Sequence, residues 1–259
     1  MKKELAVFLD IDGCLLSPIG DVCRQYYDAN SRIAEMVRSG QIGEGPSIRL
    51  CTGREKNVAE VLANLFGIVD TWLIVEGGVA LFNPTTREVL MNPAITKETK
   101  ELFRRLETKN IPALLGQFDC LQKYLGYMIL QVLEKKSGSH ADIFTIRRTV
   151  RHALRRWIGQ RKLRVNRYFN RCVSITPVGV SKGSAVEFLA RIDNIDLSRS
   201  IAVGDSESDI PLFRKVGRIG CPINATPACK KFVKSRRGKV SLLPYTQGVV
   251  DIIEWYSGG

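Results

Sequence analysis

The sequence predicts an α/β fold in which a Rossmann-like parallel sheet core is interrupted by an inserted α+β domain. Residues 5–9 form a short, unbroken apolar run, which is typical of a strand buried on both faces of a parallel sheet. Helix-like segments separate several such runs, and strands alternating with helices favour a parallel sheet. This alternation stops near residue 83 and resumes near residue 179, which indicates the insertion.

The predicted core elements follow from apolar runs and helical periodicity. In residues 57–66, for example, Val58, Val61, Leu62 and Leu65 lie on one face of a helix. The predicted strands cover residues 5–9, 47–51, 72–75 and 200–203, with a weaker candidate at 218–221, and the predicted helices cover 28–39, 55–66, 183–192 and 207–216.

The insertion has a different pattern. The dipeptides Asn83-Pro84 and Asn92-Pro93 indicate turns. The predicted elements that follow are a helix at 96–108, a strand at 128–133, a long helix at 142–157 and a hairpin formed by 163–169 and 172–176, with its bend at Arg171. We therefore expect residues 1–83 and 179–259 to form the core and residues 84–178 to form a second domain.

Composition indicates a folded globular protein without a stabilising zinc site or disulfides. The chain has 259 residues, of which 44% are hydrophobic, and both values are ordinary for a globular chain. Its net charge of +13 is unusually high. Its seven cysteines include no C-x-x-C pair and are expected to be reduced thiols. Only two histidines are present, which argues against zinc.

The sequence also argues against membrane association. The apolar run at 5–9 is too short for a signal peptide, although two lysines precede it. No stretch approaches the roughly 20 apolar residues of a membrane span. We therefore expect a cytoplasmic protein with no membrane partner.

Four carboxylates follow two of the predicted strands. Asp10 and Asp12 come after the first strand, and Asp205 and Asp209 come after the strand at 200–203. Because ligands bind beyond the carboxyl ends of the strands in an open parallel sheet, these side chains should meet at one rim. Their mutual repulsion needs compensation, and a hard divalent cation with oxygen ligands supplies it. The sequence therefore predicts Mg²⁺ as a cofactor.

Three further residues are predicted to bind phosphate. Thr52 and Gly53 follow the second strand, and Lys182 begins the helix that precedes the strand at 200–203. The threonine hydroxyl can donate a hydrogen bond, and the lysine can neutralise phosphoryl oxygens. Each residue alone is equally well explained as a helix cap, a turn former or a surface side chain. Their joint occurrence at the ends of successive strands favours phosphoryl chemistry.

Together these motifs resemble those of the haloacid dehalogenase-like superfamily of phosphohydrolases. The resemblance rests on residues 10–15, Thr52-Gly53-Arg54, Lys182 and residues 204–209. The position of the insertion is similar to that of the larger cap class, which includes sucrose-phosphate, mannosyl-phosphoglycerate and archaeal phosphoglycolate phosphatases, and phosphomannomutases. The resemblance implies that the inserted domain is a cap that chooses the substrate.

The resemblance also implies a role for each carboxylate. Asp10 would be the nucleophile that forms an aspartyl-phosphate. Asp12 would protonate the leaving oxygen and then deprotonate the hydrolytic water. The side chains of Asp10 and Asp205, with the backbone carbonyl of Asp12, would hold Mg²⁺, and Asp209 would complete the site directly or through water. Thr52 and Lys182 would bind the transferring phosphoryl group.

The excess positive charge lies in the insertion. Residues 83–178 hold 19 of the 39 Lys and Arg residues but 7 of the 26 Asp and Glu residues. On the helix predicted at 142–157, Arg147, Arg151 and Arg155 have i, i+4 spacing and would form one stripe. One hypothesis is that this stripe attracts a second anionic group on the substrate. The alternative is a solvated outer helix face, which is the usual place of a charge run.

The predicted function is hydrolysis of a small phosphorylated metabolite, such as a sugar phosphate or a phospho-acid. A phosphotransferase or phosphomutase that uses the same aspartyl-phosphate is an alternative. A non-catalytic regulator that binds a polyanion is an alternative from another class, against which the complete set of acidic, threonine and lysine motifs argues. The positive charge also suggests nucleic-acid binding as a function, but no nucleic-acid-binding signature accompanies the charge.

Overall fold

The computed structural model describes residues 5–17, 24–41, 45–106, 124–125, 130–133, 143–168 and 172–258. The chain divides into two compact units, one formed by Met1–Asn92 with Ser181–Gly259 and the other by Pro93–Val180. None of the helices in the described ranges is long and apolar enough to cross a membrane.

The secondary structure alternates in the first unit and is mixed in the second. The strands are β1 (Ala6–Leu9), β2 (Ser47–Leu50), β3 (Leu73–Val75), β4 (Ala80–Phe82), β5 (Val89–Met91), β6 (Tyr124–Leu125), β7 (Leu130–Leu133), β8 (Leu163–Tyr168), β9 (Cys172–Pro177), β10 (Ile201–Val203), β11 (Arg218–Cys221) and β12 (Lys239–Val240). The helices are α1 (Arg24–Gln41), α2 (Lys56–Phe66), α3 (Lys97–Arg105), α4 (Ile143–Ala153), α5 (Arg155–Gly159), α6 (Lys182–Ile192), α7 (Ile210–Phe213), α8 (Pro227–Ser235) and α9 (Tyr245–Ser257).

Five parallel strands form the central sheet of the first unit, in the order β12-β11-β10-β1-β2. Leu9 at the end of β1 is level with Val203 of β10 and with Leu50 of β2. The carboxyl ends of these three strands therefore lie side by side. The predicted α/β fold with a parallel sheet core is confirmed.

The central strand β1 is buried on both faces, as its unbroken apolar run predicts. Successive side chains of a strand point to opposite faces of the sheet. Phe8 lies in one core cluster with Val186 and Leu189 of α6. Val7 and Leu9 point to the other face, and both are fully buried.

A short antiparallel sheet, in the order β3-β4-β5, completes the first unit. It adjoins the central sheet through a parallel bridge between Cys51 and Ile74. Because β5 pairs with β4, the first unit continues to Asn92, beyond the sequence-based boundary at residue 83.

The helix predicted at 207–216 is shorter than expected, since only Ile210–Phe213 is helical. The residues before it form a loop in which the backbone N–H groups of Asp205 and Ser206 donate to the carboxylate of Asp209. These contacts shape the loop that leads into the helix, and the local sequence pattern did not reveal them.

The second unit contains a four-stranded antiparallel sheet in the order β6-β7-β9-β8 and the helices α3, α4 and α5. The predicted hairpin is present as β8 and β9, with Leu163 paired to Pro177, and its predicted bend at Arg171 lies outside the described residues. The long helix predicted at 142–157 is interrupted at Leu154. The predicted continuous stripe of three arginines is therefore wrong, because Arg155 belongs to the next helix.

Gly78 fixes where α6 begins. A short 3₁₀ turn, Glu76–Gly78, follows β3, and Gly78 has a φ of +100°. A Cβ atom at this position would overlap the backbone carbonyl of Ser181, the residue that caps α6. The side chain of Asn92 joins the two segments, since its Nδ2 donates to Gly78 O at 2.8 Å and to Ser184 Oγ at 3.0 Å. The turn thereby positions Lys182, the first residue of α6.

Replacing Gly78 by alanine should destabilise the protein by about 3 kcal/mol or more, because backbone strain and steric overlap add together. Gly67→Ala is the matched control. Gly67 also has a positive φ, of 72°, but a Cβ atom there meets nothing within 4 Å. Strain alone should therefore cost that variant about 1 kcal/mol. Urea unfolding of both variants measures the two values, and equal losses would contradict the proposed contact.

Candidate active site

The carboxyl ends of β1 and β10 bring three acidic side chains together. Oxygens of Asp10, Asp205 and Asp209 all lie within 4.8 Å of one another. The three residues are 4%, 7% and 0% exposed. The turn after β1 comes very close to this cluster, because a Cβ atom at Gly13 would overlap the carboxylate of Asp205. Three of the four carboxylates predicted to meet at one rim are thus close together in the structure.

Lys182 bridges two members of this cluster. Its Nζ lies 2.9 Å from Asp10 Oδ1 and 2.5 Å from Asp209 Oδ1. The lysine is itself only 2% exposed. A buried ammonium group is stable only when it is paired, so the lysine and the two carboxylates depend on each other.

Asp209 organises the loop that carries Asp205. Its Oδ2 accepts hydrogen bonds from the backbone N–H groups of Asp205 and Ser206, both at 3.1 Å, and from Ser206 Oγ at 3.3 Å. Its Oδ1 accepts from Lys182. Both oxygens are thus used to shape the site, and this explains why a fully buried carboxylate is present there.

Asp205 has an oxygen that the described residues leave unsatisfied. Asp205 Oδ1 is buried and has no hydrogen-bond partner among them. Burial, with the nearby charge of Asp209, raises the pKa of Asp205 to about 7. The same two causes raise the pKa of Asp10 well above its usual range, although Lys182 opposes them. A divalent cation would relieve both effects, since oxygen donors suit hard cations such as Mg²⁺ or Ca²⁺. The acidic triad therefore fits a metal ion.

The side chain of Asp12 lies apart from the triad, on Arg54. Arg54 Nε donates to Asp12 Oδ2 at 2.8 Å, and a terminal guanidinium nitrogen donates to Asp12 Oδ1 at 2.6 Å. A two-point contact of this kind fixes both the position and the plane of a carboxylate. Asp12 is about one-sixth exposed, at 17% of its side-chain surface, so it remains accessible from solvent.

Thr52 and Gly53 follow β2 at the same rim. The backbone N–H of Cys51 still donates to Leu9 O, which continues the pairing with β1 and places Thr52 next to the end of that strand. Thr52 is fully buried, and its Oγ1 accepts from the backbone N–H of Arg54 at 3.0 Å. The structure gives no side-chain contact that joins Thr52 to the acidic triad.

Sequence reasoning gave no role to two residues that support the site. Arg54 was part of the recognised motif, and its position two residues after Thr52 was the available signal. Asn224 had no sequence signal. Its Nδ2 donates to Gly13 O at 2.8 Å and its Oδ1 accepts from Tyr245 N at 2.8 Å, so it ties the turn after β1 to the start of α9.

Residues 121–251 match the family model described as haloacid dehalogenase-like hydrolase. The chain belongs to this family. The resemblance inferred from the motifs is thereby confirmed, and the chain is a hydrolase whose family and relatives support a phosphatase activity.

Individual relatives of this hydrolase extend over its whole length. It is 26% identical over 255 residues to a phosphoglycolate phosphatase from Archaeoglobus fulgidus, covering 98% of both chains. Among solved structures, a Thermoplasma acidophilum protein has a TM-score of 0.68 at 16% identity, covering 99% of both chains. The sucrose-phosphatase from Synechocystis has a TM-score of 0.68 at 15% identity, also covering 99% of both chains. At these identities the two structures show that the fold is shared.

Asp205→Asn should stabilise the metal-free protein at pH 8 relative to the wild type, because it removes a buried, poorly compensated charge. The raised pKa means that the folded state binds a proton more tightly than the unfolded state. The destabilisation by Asp205 is therefore complete above about pH 7 and disappears near pH 4, the ordinary pKa of an aspartate.

Thermal unfolding of both proteins in a chelator, from pH 8 to pH 5, measures this effect. The difference in Tm between variant and wild type should be largest at pH 8 and should shrink as the pH falls below 7. Adding Mg²⁺ at pH 8 should raise the Tm of the wild type and leave that of the variant almost unchanged. A difference in Tm that is independent of pH would contradict this account.

Proposed function

We propose that this hydrolase is a Mg²⁺-dependent phosphatase that removes phosphate from a small metabolite through an aspartyl-phosphate on Asp10. The observation that carries the proposal is the position of Asp10. Its carboxylate lies at the end of β1, in contact with the buried Lys182 and within 4.8 Å of the unsatisfied acidic group of Asp205. Such a site combines a nucleophile with the positive charge that phosphoryl transfer requires.

Asp10 and Lys182 would act in the first step. An oxygen of Asp10 forms a bond to phosphorus while the bond between phosphorus and the leaving oxygen breaks. Asp10 Oδ1 accepts a hydrogen bond from Ile11 N at 2.8 Å and contacts Lys182, so the carboxylate is fixed before the reaction. Lys182 then faces the negative phosphoryl oxygens. A bound Mg²⁺, held by Asp10, Asp205 and Asp209 with the backbone of Asp12, would supply further neutralisation of that charge.

Asp12 would move the protons. In the first step it donates a proton to the leaving alkoxide oxygen, and in the second it takes a proton from the water that attacks the aspartyl-phosphate. The second step releases inorganic phosphate and restores the Asp10 carboxylate. Arg54 would hold Asp12 in position through its two-point contact. Thr52 and Gly53 are proposed to bind the phosphoryl oxygens from the loop after β2.

The substrate class is proposed from the relatives and from the chain's second unit. Similarity to the phosphoglycolate phosphatase of Archaeoglobus fulgidus supports a phosphorylated acid as the substrate of this chain. Similarity to the sucrose-phosphatase of Synechocystis supports a sugar phosphate. We propose a small molecule of one of these two kinds as the substrate. We further propose that the unit Pro93–Val180 serves as the cap that selects the leaving group.

Asp10→Asn should lower kcat for an aryl phosphate by at least about 10³-fold, because the amide is a poor nucleophile. Asp251→Asn is the control, since Asp251 lies on α9 and contacts Lys239 at 3.3 Å, away from the proposed nucleophile. That variant should keep wild-type activity. Retained turnover in Asp10→Asn, with Mg²⁺ present, would exclude Asp10 as the nucleophile.

Product analysis of the same reactions separates hydrolysis from transfer. With sugar phosphates and phosphoglycolate as substrates, we expect inorganic phosphate in amounts equal to the alcohol released. Recovery of the phosphoryl group on a second hydroxyl would instead indicate a phosphotransferase or phosphomutase.

Arg54→Gln should lower kcat by about 10- to 100-fold and change KM much less, because it frees Asp12 without removing it. Arg32→Gln is a suitable control. Arg32 is also an exposed arginine in ion pairs, with Glu35 and Glu254 at 2.9 Å, but it lies on α1. Steady-state kinetics of both variants tests the assignment, and an increase in KM alone would show that Arg54 binds substrate instead of positioning Asp12.

A further inference from the structure

The second unit contains a basic pocket beside β8, the edge strand of its sheet. The pocket has a volume of about 380 Å³. Its polar lining consists of Arg147, Arg151, Arg161, Arg164 and Asn166. All of these residues lie within Pro93–Val180, so the pocket belongs to this unit alone.

Its arginines come from three different segments. Arg147 and Arg151 are one helical turn apart on α4, and neighbours at this spacing share a helix face. Arg161 lies in the turn before β8 with a φ of +53°, a conformation that a residue other than glycine rarely adopts. Arg164 is anchored, because a terminal guanidinium nitrogen donates to Val180 O at 2.5 Å. A guanidinium has five N–H donors, so Arg164 retains others for a ligand.

One donor in this pocket is buried without a partner. Arg147 Nε is inaccessible to solvent and makes no hydrogen bond within the part of the chain that the structure describes. A buried donor on a charged group is costly when it is left unsatisfied. Because Arg147 lines the pocket, a change of its side-chain rotamer would bring this donor to an anion bound there.

Among the residues that the structure describes, no acidic side chain lines the pocket. In the described part of this unit the acidic residues are Glu98 and Glu101, and their ion pairs are with Lys162, Arg104 and Arg105. Neither glutamate lines the pocket.

The pocket also includes the apolar residues Leu163 and Val165, which are 1% and 2% exposed. Charge interactions are stronger near such apolar surface than in open water.

We propose that this pocket binds a phosphate or carboxylate group of a small anionic molecule. Planar guanidinium groups recognise both kinds of oxyanion through paired hydrogen bonds. The bound anionic group could be a second anionic group of the substrate or part of a separate effector. The first of these alternatives rests on the proposed phosphatase function. The structure distinguishes the arginines of this segment, because Arg147 and Arg151 line the pocket whereas Arg148 and Arg156 do not.

Calorimetric titration of the metal-free protein with sulfate tests the site. Sulfate is a tetrahedral dianion that a phosphatase does not hydrolyse, and the buried carboxylates of the core repel it when no metal is present. The double variant Arg147→Gln/Arg151→Gln should raise the Kd for sulfate at least about tenfold, since each arginine supplies charge-assisted hydrogen bonds. The control Arg148→Gln/Arg156→Gln removes the same charge from the same segment and should change the Kd less than about twofold.

The proposal fails if the wild type shows no saturable binding, if the first double variant binds as well as the wild type, or if both double variants lose binding equally. Equal loss would indicate attraction by net charge alone. Arg161→Gln, at an exposed position, provides a second test if the first variant does not fold. Binding is measured without turnover, so its result is independent of whether the enzyme is a phosphatase.

Kinetics then identifies the source of the anionic group. If the group belongs to the substrate, Arg147→Gln/Arg151→Gln should raise KM for phosphoglycolate about tenfold and leave KM for an aryl phosphate, which has no second anionic group, unchanged. If it belongs to an effector, sulfate should change kcat/KM for the aryl phosphate differently in the wild type and in this variant. The absence of both effects would overturn the proposal that the pocket serves this enzyme.

Discussion

The buried contact of Lys182 with Asp10 and Asp209 is the interaction on which the rest of the candidate site depends. Taking three charges out of water is unfavourable, and each group is tolerated only because the others compensate it. Burial, with the nearby charge of Asp209, raises the pKa of Asp205 to about 7, and one oxygen of Asp205 has no partner among the described residues. With all groups ionised, the three carboxylates and Lys182 have a net charge of −2, and that deficit favours a divalent metal ion.

This cluster is assembled by segments that are distant in sequence. The register between β1 and β10 places Asp10 beside the loop of Asp205, and the contact between Gly78 and Ser181 sets the start of the helix that carries Lys182. Each contact is made by backbone atoms or by a capping residue. A small displacement of α6 would separate the lysine from both carboxylates, so these buried contacts depend on the packing of a glycine turn.

Charge is divided unevenly between the two units. The first unit has a near balance of acidic and basic residues, and its acidic triad is buried. The second unit carries most of the excess positive charge, and part of it surrounds a pocket with apolar walls. Other arginines of the same segment are exposed, as expected for a solvated helix face. Arg151 is exposed and also lines the pocket, so the two interpretations of the arginine run, as anion site and as outer face, meet at this residue.

The amino-acid sequence by itself determined the parallel sheet, its buried first strand and the identity of the acidic, threonine and lysine motifs. These features depend on periodicity and on residues that lie close together in the chain. Only the tertiary structure decided that the side chain of Asp12 contacts Arg54. It also decided that Asp209 binds the loop before α7 and that Arg155 is separated from Arg151 at Leu154. The direction of a side chain and the choice among competing hydrogen-bond partners depend on which distant groups fold next to it, and a local sequence pattern does not contain that information.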